Sequence, residues 1–356
     1  MSGDGTTERP VAADAGTGRS GRFQLLGRFL LALAIVVLVV VFRHRIREWW
    51  DGLVGVSWRW VLLTVLVQLA SMQCLVQQQR VLLRAGGGGA SVGAATSTIY
   101  AGNTISTSLP FAGVPAGAAY TYRRLHALGN GPALVSWALA LSGIAATTTL
   151  AVVVAFGSAM TSSPVGALGA FVATAAGVLP VLGIVLAFRH ARTRALLLVR
   201  LASRVVRLLG RWVPALRNGS VEERIDEFLT SLGSFRLGVR AGAATGLYAL
   251  VNWVLDAACL ALALVAVGAD IPWQGLVLAW AAGTLASAAR LTPGGIGVVE
   301  TALVSALVAS GLPISQAVPG VLVFRLVNLW LLVAIGALFL LAGSRSNQPA
   351  EAETTG

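Results

Sequence analysis

Apolar positions fill this chain in long blocks, not in the alternation of a half-buried strand or the single stripe of a soluble surface helix. Leu25 to Phe42, Trp60 to Leu83, Ala133 to Phe156, Val165 to Phe188, Leu237 to Val267 and Val318 to Leu341 are each long enough to cross a hydrocarbon core as a helix. They predict about six full spans. Two further regions are apolar but interrupted. Ala90 to Leu128 is rich in Ser and Thr and breaks across Leu109-Pro110-Phe111-Ala112-Gly113-Val114-Pro115-Ala116-Gly117. The stretch from Trp273 to Leu312 breaks across Arg290-Leu291-Thr292-Pro293-Gly294-Gly295-Ile296-Gly297-Val298-Val299-Glu300. Proline lacks an N–H and glycine relaxes the backbone, so each region predicts two short helices around a break. Backbone groups freed at such a break cannot face lipid; they must be buried in protein or line a polar cavity.

The polar positions divide the rest. Residues 1–22 and 343–356 lack apolar periodicity and read as disordered tails flanking a membrane domain over 23–342. Within it, 189–236 is the one long polar stretch. Arg200, Arg204, Arg207 and Arg211 share one helical stripe beside Leu197, Leu201, Val205, Leu208 and Trp212, which predicts a helix lying in the interface. Ser220 and Glu223 form a candidate capping box for a second amphipathic helix, Val221 to Leu232. The density of arginine puts this loop in the cytoplasm. Counting spans outward from it places Arg123 and Arg124, then Arg80 and Arg84, and both termini on the same side. The break at Pro110 is then entered from the cytoplasm and the break at Pro293 from outside. Opposed broken elements in two halves are the mark of an inverted repeat with a site near the midplane.

Composition agrees with this class. Hydrophobic residues are 56% and charged residues 11%, with mean hydropathy +0.80, which excludes a soluble globular protein. The net charge of +12 comes from arginine, because the chain has no lysine. With the positives lying between apolar spans, the expected partners are anionic lipid headgroups and not nucleic acid. Cys74 and Cys259 fall inside apolar spans, and His44, His126 and His190 lie at span edges beside arginines. Neither set has metal-ligand spacing, and no cofactor is expected. No Ser/His/Asp arrangement is evident, and Gly86 to Gly89 lacks the Lys and Ser/Thr of a phosphate-cradling loop, so an enzyme is not expected.

A charge at the centre of a bilayer costs about 2.5 to 3.5 kcal/mol, so Arg290, Glu300, Asp256 and Arg325 each need a partner or a wet cavity. Arg290 and Arg325 are candidates to grip a lipid phosphate with their planar forks of donors. The alternative is that each pairs with Glu300 or Asp256 and locks helices together. Gly294, Gly295 and Gly297, beside Pro293, could expose backbone N–H groups at a half-helix starting near Val298. Glu300 in its first turn favours the dipole but competes with a bound anion; its alternatives are to pair with Arg290 or to protonate during a transport cycle, and Asp256 is the other acidic candidate for a charge partner or coupling group. Arg123 is a further candidate for the phosphate, its simpler role being that of a positive-inside anchor.

Arg290-x-x-Pro293-Gly294-Gly295-x-Gly297-x-x-Glu300, followed by Phe324-Arg325-Leu326 and Trp330, resembles the signature of the flippase-like integral membrane family. That family includes the transmembrane region of lysylphosphatidylglycerol synthases. Leu109-Pro110-x-x-Gly113 through Tyr122-Arg123-x-Leu125 is similar to its first-half motif, with Ala112 and Val114-Pro115 replacing a more compact glycine pattern. The resemblance spans Leu25 to Leu341. It implies translocation of a lipid: an anionic or aminoacylated phospholipid, or a polyprenyl-phosphate-linked glycan. The family's resistance proteins carry an aminoacyl-transferase domain after the membrane region; with the chain stopping at Gly356, synthesis of the lipid is not expected here. The alternative is an accessory subunit that presents lipid to a glycosyltransferase or lipid synthase.

Overall fold

The computed structural model describes residues 56–159 and 237–345. The expected spans Leu25 to Phe42 and Val165 to Phe188, the tails and the amphipathic helices of 189–236 lie outside the described residues. Those described form helices joined by short connections, with no strand among them.

Four helices are long and apolar enough to cross a membrane. They are α1 (Trp58–Ala85), α4 (Pro132–Ala159), α5 (Val239–Ala266) and the composite helix from Ile314. This last comprises α8 (Ile314–Arg325), a π turn (Leu326–Leu331) and α9 (Leu332–Arg345). They match four of the expected spans. A 28-residue helix such as α1 is ~42 Å long, beyond the ~30 Å of a hydrocarbon core.

The two interrupted regions form helices too short for that: α2 (Val92–Ser108) with α3 (Gly113–Ala127), and α6 (Trp273–Ala288) with α7 (Val298–Ala309). The 12 residues of α7 span only ~18 Å. Each pair is an antiparallel hairpin. In the first, Gly113 lies against Ser106 and Gly117 against Gly102, so the partners move apart along the chain as they do in a folded-back pair. A Cβ on Gly117 would collide with the Gly102 carbonyl; only small residues let these backbones approach so closely. In the second hairpin Gly283 lies against Leu303 and Gly275 against Ser310.

The centre of the molecule is the α1–α5 pair, also antiparallel. Ser57 N donates to Ala266 O (2.8 Å), and Asn252 Nδ2 donates to Ser71 O (3.0 Å) and to Ser71 Oγ (2.8 Å). Ser71 Oγ returns a bond to Asn252 O (3.0 Å). The buried Asn252 amide N–H groups are thus both occupied in a clasp, which polar groups in an apolar interior require. Because α2 follows the C-terminal end of α1, and α6 follows the C-terminal end of α5, the hairpins start from opposite ends of this pair.

Candidate functional site

The two hairpins meet at their tips. Phe111 N donates to Arg290 O (3.3 Å), and Arg290 Nη1 donates to Ser106 O at the end of α2 (2.8 Å). The two residues that make this junction are also the two non-glycine residues in left-handed backbone among those described: Phe111 at φ 53° and Arg290 at φ 51°. That conformation costs an L-residue roughly 1–2 kcal/mol, and here both tips adopt it where they touch. Arg290 Nε is buried with no acceptor, and no carboxylate pairs with this side chain among the described residues. Of the five donors on a guanidinium, most are left for another group.

After Arg290 the chain makes a 3-10 turn, Pro293–Gly295, and enters α7 through Gly297. Gly294 (φ 64°), Gly295 (φ 68°) and Gly297 (φ 86°) all need left-handed backbone, which explains the glycines at these positions. The turn is held by Gly295 N to Thr292 O (2.9 Å) and by Thr292 Oγ1 to Ile296 O (2.9 Å).

Glu300 and Arg325 secure the turn. Glu300 Oε2 accepts from Gly297 N (2.6 Å), the reciprocal half of a capping box, since the glycine at the cap has no side chain to return the bond. Glu300 Oε1 accepts from Arg325 Nε (2.6 Å), and Arg325 Nη2 donates to Gly294 O. Arg325 is nearly buried at 6% exposure. Of the alternatives open for Arg325 and Glu300 from sequence, the helix-locking pair is the arrangement found. Glu300 sits at the α7 N-terminus, where a carboxylate satisfies the dipole. Arg290 pairs with neither acid.

Asp256 forms a separate cluster on α5. Its Oδ1 accepts from Asn328 Nδ2 (2.7 Å) in the π turn and from Gln68 Nε2 (3.2 Å) on α1. Its Oδ2 accepts from Trp280 Nε1 (2.8 Å) on α6. Every donor is neutral. Arg123 lies elsewhere: exposed on α3, it bonds Ala119 O (3.4 Å), ten residues and ~15 Å of helix beyond Gly113 at the tip. The structure therefore unites Arg290, Pro293, Gly294, Gly295, Gly297, Glu300 and Arg325 in one turn and its clamp, and leaves Arg123 apart.

Sequence reasoning missed three features of the site. Ser106 enters only through its carbonyl, a group every residue has. Phe111 carries no mark of left-handed geometry. Trp280, in an apolar block, and Asn328, inside the last expected span, carry no mark of a contact with Asp256; the one available hint was an acid in α5 needing donors from whichever helices pack on it.

The family description Lysylphosphatidylglycerol synthase TM region matches residues 27–336 of the chain. No curated protein matches it.

Proposed function

The chain belongs to the lysylphosphatidylglycerol synthase TM region family and is a multi-pass membrane protein, and from that premise we propose that it moves a phosphate-bearing lipid between leaflets through the junction of its two hairpin tips. The observation that carries this reading is the Phe111–Arg290–Ser106 contact, in which hairpins from opposite ends of the α1–α5 pair meet at a guanidinium with donors to spare. An arginine fork suits a phosphate oxygen, and irregular backbone inside a membrane is tolerated where it lines a cavity.

The packing supports an inverted repeat. Exchanging α1 with α5, the first hairpin with the second, and α4 with the α8–α9 helix reproduces the neighbours. α4 packs on α6 as α9 packs on α2, α4 on α1 as α8 on α5, and α3 on α4 as α7 on α8. With α1 and α5 antiparallel, the halves are related by an axis in the membrane plane, the arrangement that offers one site to two faces in turn. The arginine distribution then sets the first hairpin's base and both termini in the cytoplasm, in a cell membrane. The substrate class is an anionic or aminoacylated phospholipid or a polyprenyl-phosphate-linked glycan, united by the phosphate.

The test is reconstitution of the full chain in liposomes carrying fluorescent phosphatidylglycerol, its aminoacylated form or a polyprenyl phosphate. Wild-type protein should move at least one of them between leaflets, and Arg290→Ala should lose most of that activity while keeping its thermal stability. Equal rates in both proteins would sink the proposal. Tight lipid retention with no movement would favour an accessory subunit instead.

A further inference from the structure

The Asp256 cluster is used neither by the hairpin junction nor by the turn's clamp, yet it touches the central pair, the second hairpin and the π turn at once. Its carboxylate accepts from three N–H donors and is ion-paired with no cation among the described residues; the charge that acts on it is Arg325, which is itself paired with Glu300. The elements packed on α5 are α1, α4, α6 and α8. Neither α4 nor α6 has an ionisable side chain. On α1 the ionisable groups are Cys74, six positions beyond Gln68, and the terminal arginines Arg59, Arg80 and Arg84. On α5 itself Cys259 lies three positions from Asp256, with Arg240 and Tyr248 further off. On α8 there is Arg325, committed to Glu300. A second observation points to a missing ligand. Gln68 is 2% exposed, and while its Nε2 binds Asp256 its Oε1 has no hydrogen-bond donor among the described residues. The cluster therefore holds a carboxylate and, on the same amide that donates to it, a buried acceptor that receives no hydrogen bond among the described residues.

We propose that Asp256 and Gln68 form a proton-binding site, and that the π turn Leu326–Leu331 transmits its occupancy to the Pro293–Gly297 turn. A proton taken from solvent bonds to an Asp256 carboxyl oxygen, making a neutral acid with one O–H. A turn of the Gln68 amide presents Oε1 to accept that O–H, and no covalent bond to carbon breaks. A metal cation fits less well, because Trp280 Nε1 can only donate and a cation needs oxygens around it. Asp256 and Asn328 are half-buried, where α1, α5, α6 and the π turn meet.

The transmission follows from the chain. Asn328 holds the π turn to Asp256, and Arg325, three residues earlier, holds Glu300 and the Gly294 carbonyl. Thr104 Oγ1 in the first hairpin lies 3.5 Å from Leu332 O, just past the same turn. A π turn is an inserted residue in an α-helix and can resolve by a register shift, a two-state element. Weakening the Asn328 bond to a neutralised acid favours that shift and moves Arg325 relative to the hairpin tip.

The inference rests on the transport reading only for its consequence, a proton-driven step; binding is measured without transport, so the two can fail separately. The full chain in nanodiscs is titrated while the infrared carboxylic C=O band is recorded. Beside it, maleimide labelling is followed at Leu291→Cys in a Cys74→Ser, Cys259→Ser background. Wild type should show a band that grows on acidification and labelling that changes with the same midpoint. Because the other Asp and Glu side chains among the 14 in the chain absorb as well, the Asp256 component is read as the wild-type-minus-Asp256→Asn difference, and Asp256→Asn should also lose the pH dependence of labelling. Asn328→Leu should keep the band and lose the labelling change. Should Asp256→Asn fail to fold, Trp280→Phe should keep the band and displace its midpoint. No difference band between wild type and Asp256→Asn, a midpoint of that band unmoved by Trp280→Phe, or labelling that ignores pH while the band titrates would overturn the proposal. So would labelling that answers to sodium at fixed pH.

Discussion

The two hairpins reach the same junction by different means. The first, α2–α3, closes with the four residues Leu109 to Ala112, carries no charge in its break, and is zipped by glycine contacts at Gly102, Gly113 and Gly117. The second, α6–α7, has a longer turn with three left-handed glycines and is held from outside by Arg325 on the neighbouring helix. Both spend strain at one residue of the tip, Phe111 or Arg290. The first hairpin therefore acts as a rigid wall presenting backbone groups, Ser106 O and Phe111 N. The second carries the charged side chains and depends on α8 for its shape. A repeat can keep its architecture in both halves while concentrating its chemistry in one.

That contrast can be broken in order of expected effect. Glu300→Ala leaves the nearly buried Arg325 without its carboxylate and uncaps α7. Removing one partner of a buried pair costs about 3 to 5 kcal/mol, and the 25% exposure of Glu300 puts the loss near the lower end. Thermal unfolding in detergent should show a large drop. Gly117→Val should come next, at about 1–3 kcal/mol, because the side chain meets the Gly102 backbone and nothing flexible can yield. If Gly117→Val were neutral, the first hairpin would not be the rigid member. Gly294→Ala, at φ 64°, should cost roughly 1 kcal/mol. Smallest is Phe111→Gly: it relieves a left-handed phenylalanine that is 72% exposed, and should raise stability by up to ~1 kcal/mol without loss of transport.

Much of this was legible in the sequence because bilayer physics is written in composition. Blocks such as Trp60 to Leu83 and Leu237 to Val267 can be little else, and Pro110 and Pro293 with their glycines mark where helices stop. The grouping of Arg290, the glycines and Glu300 follows from their adjacency. Partner choice was not legible. Whether Glu300 takes Arg290 or Arg325 depends on how α8 crosses α7, and the π turn that brings Asn328 onto Asp256 leaves no residue signal in Leu326 to Leu331. Arg123 sits in a motif shared by sequence with the first tip, but its distance along α3 separates it from the junction.

The most direct test of tip-to-tip meeting and lipid passage uses Phe111→Cys with Leu291→Cys in a chain whose Cys74 and Cys259 are serine. The Phe111 N to Arg290 O bond makes the segments that carry these positions neighbours. The expected result is that the cross-link forms readily, stops lipid movement in liposomes, and releases it on reduction. Lipid movement at an unchanged rate through fully cross-linked protein would contradict passage at this junction.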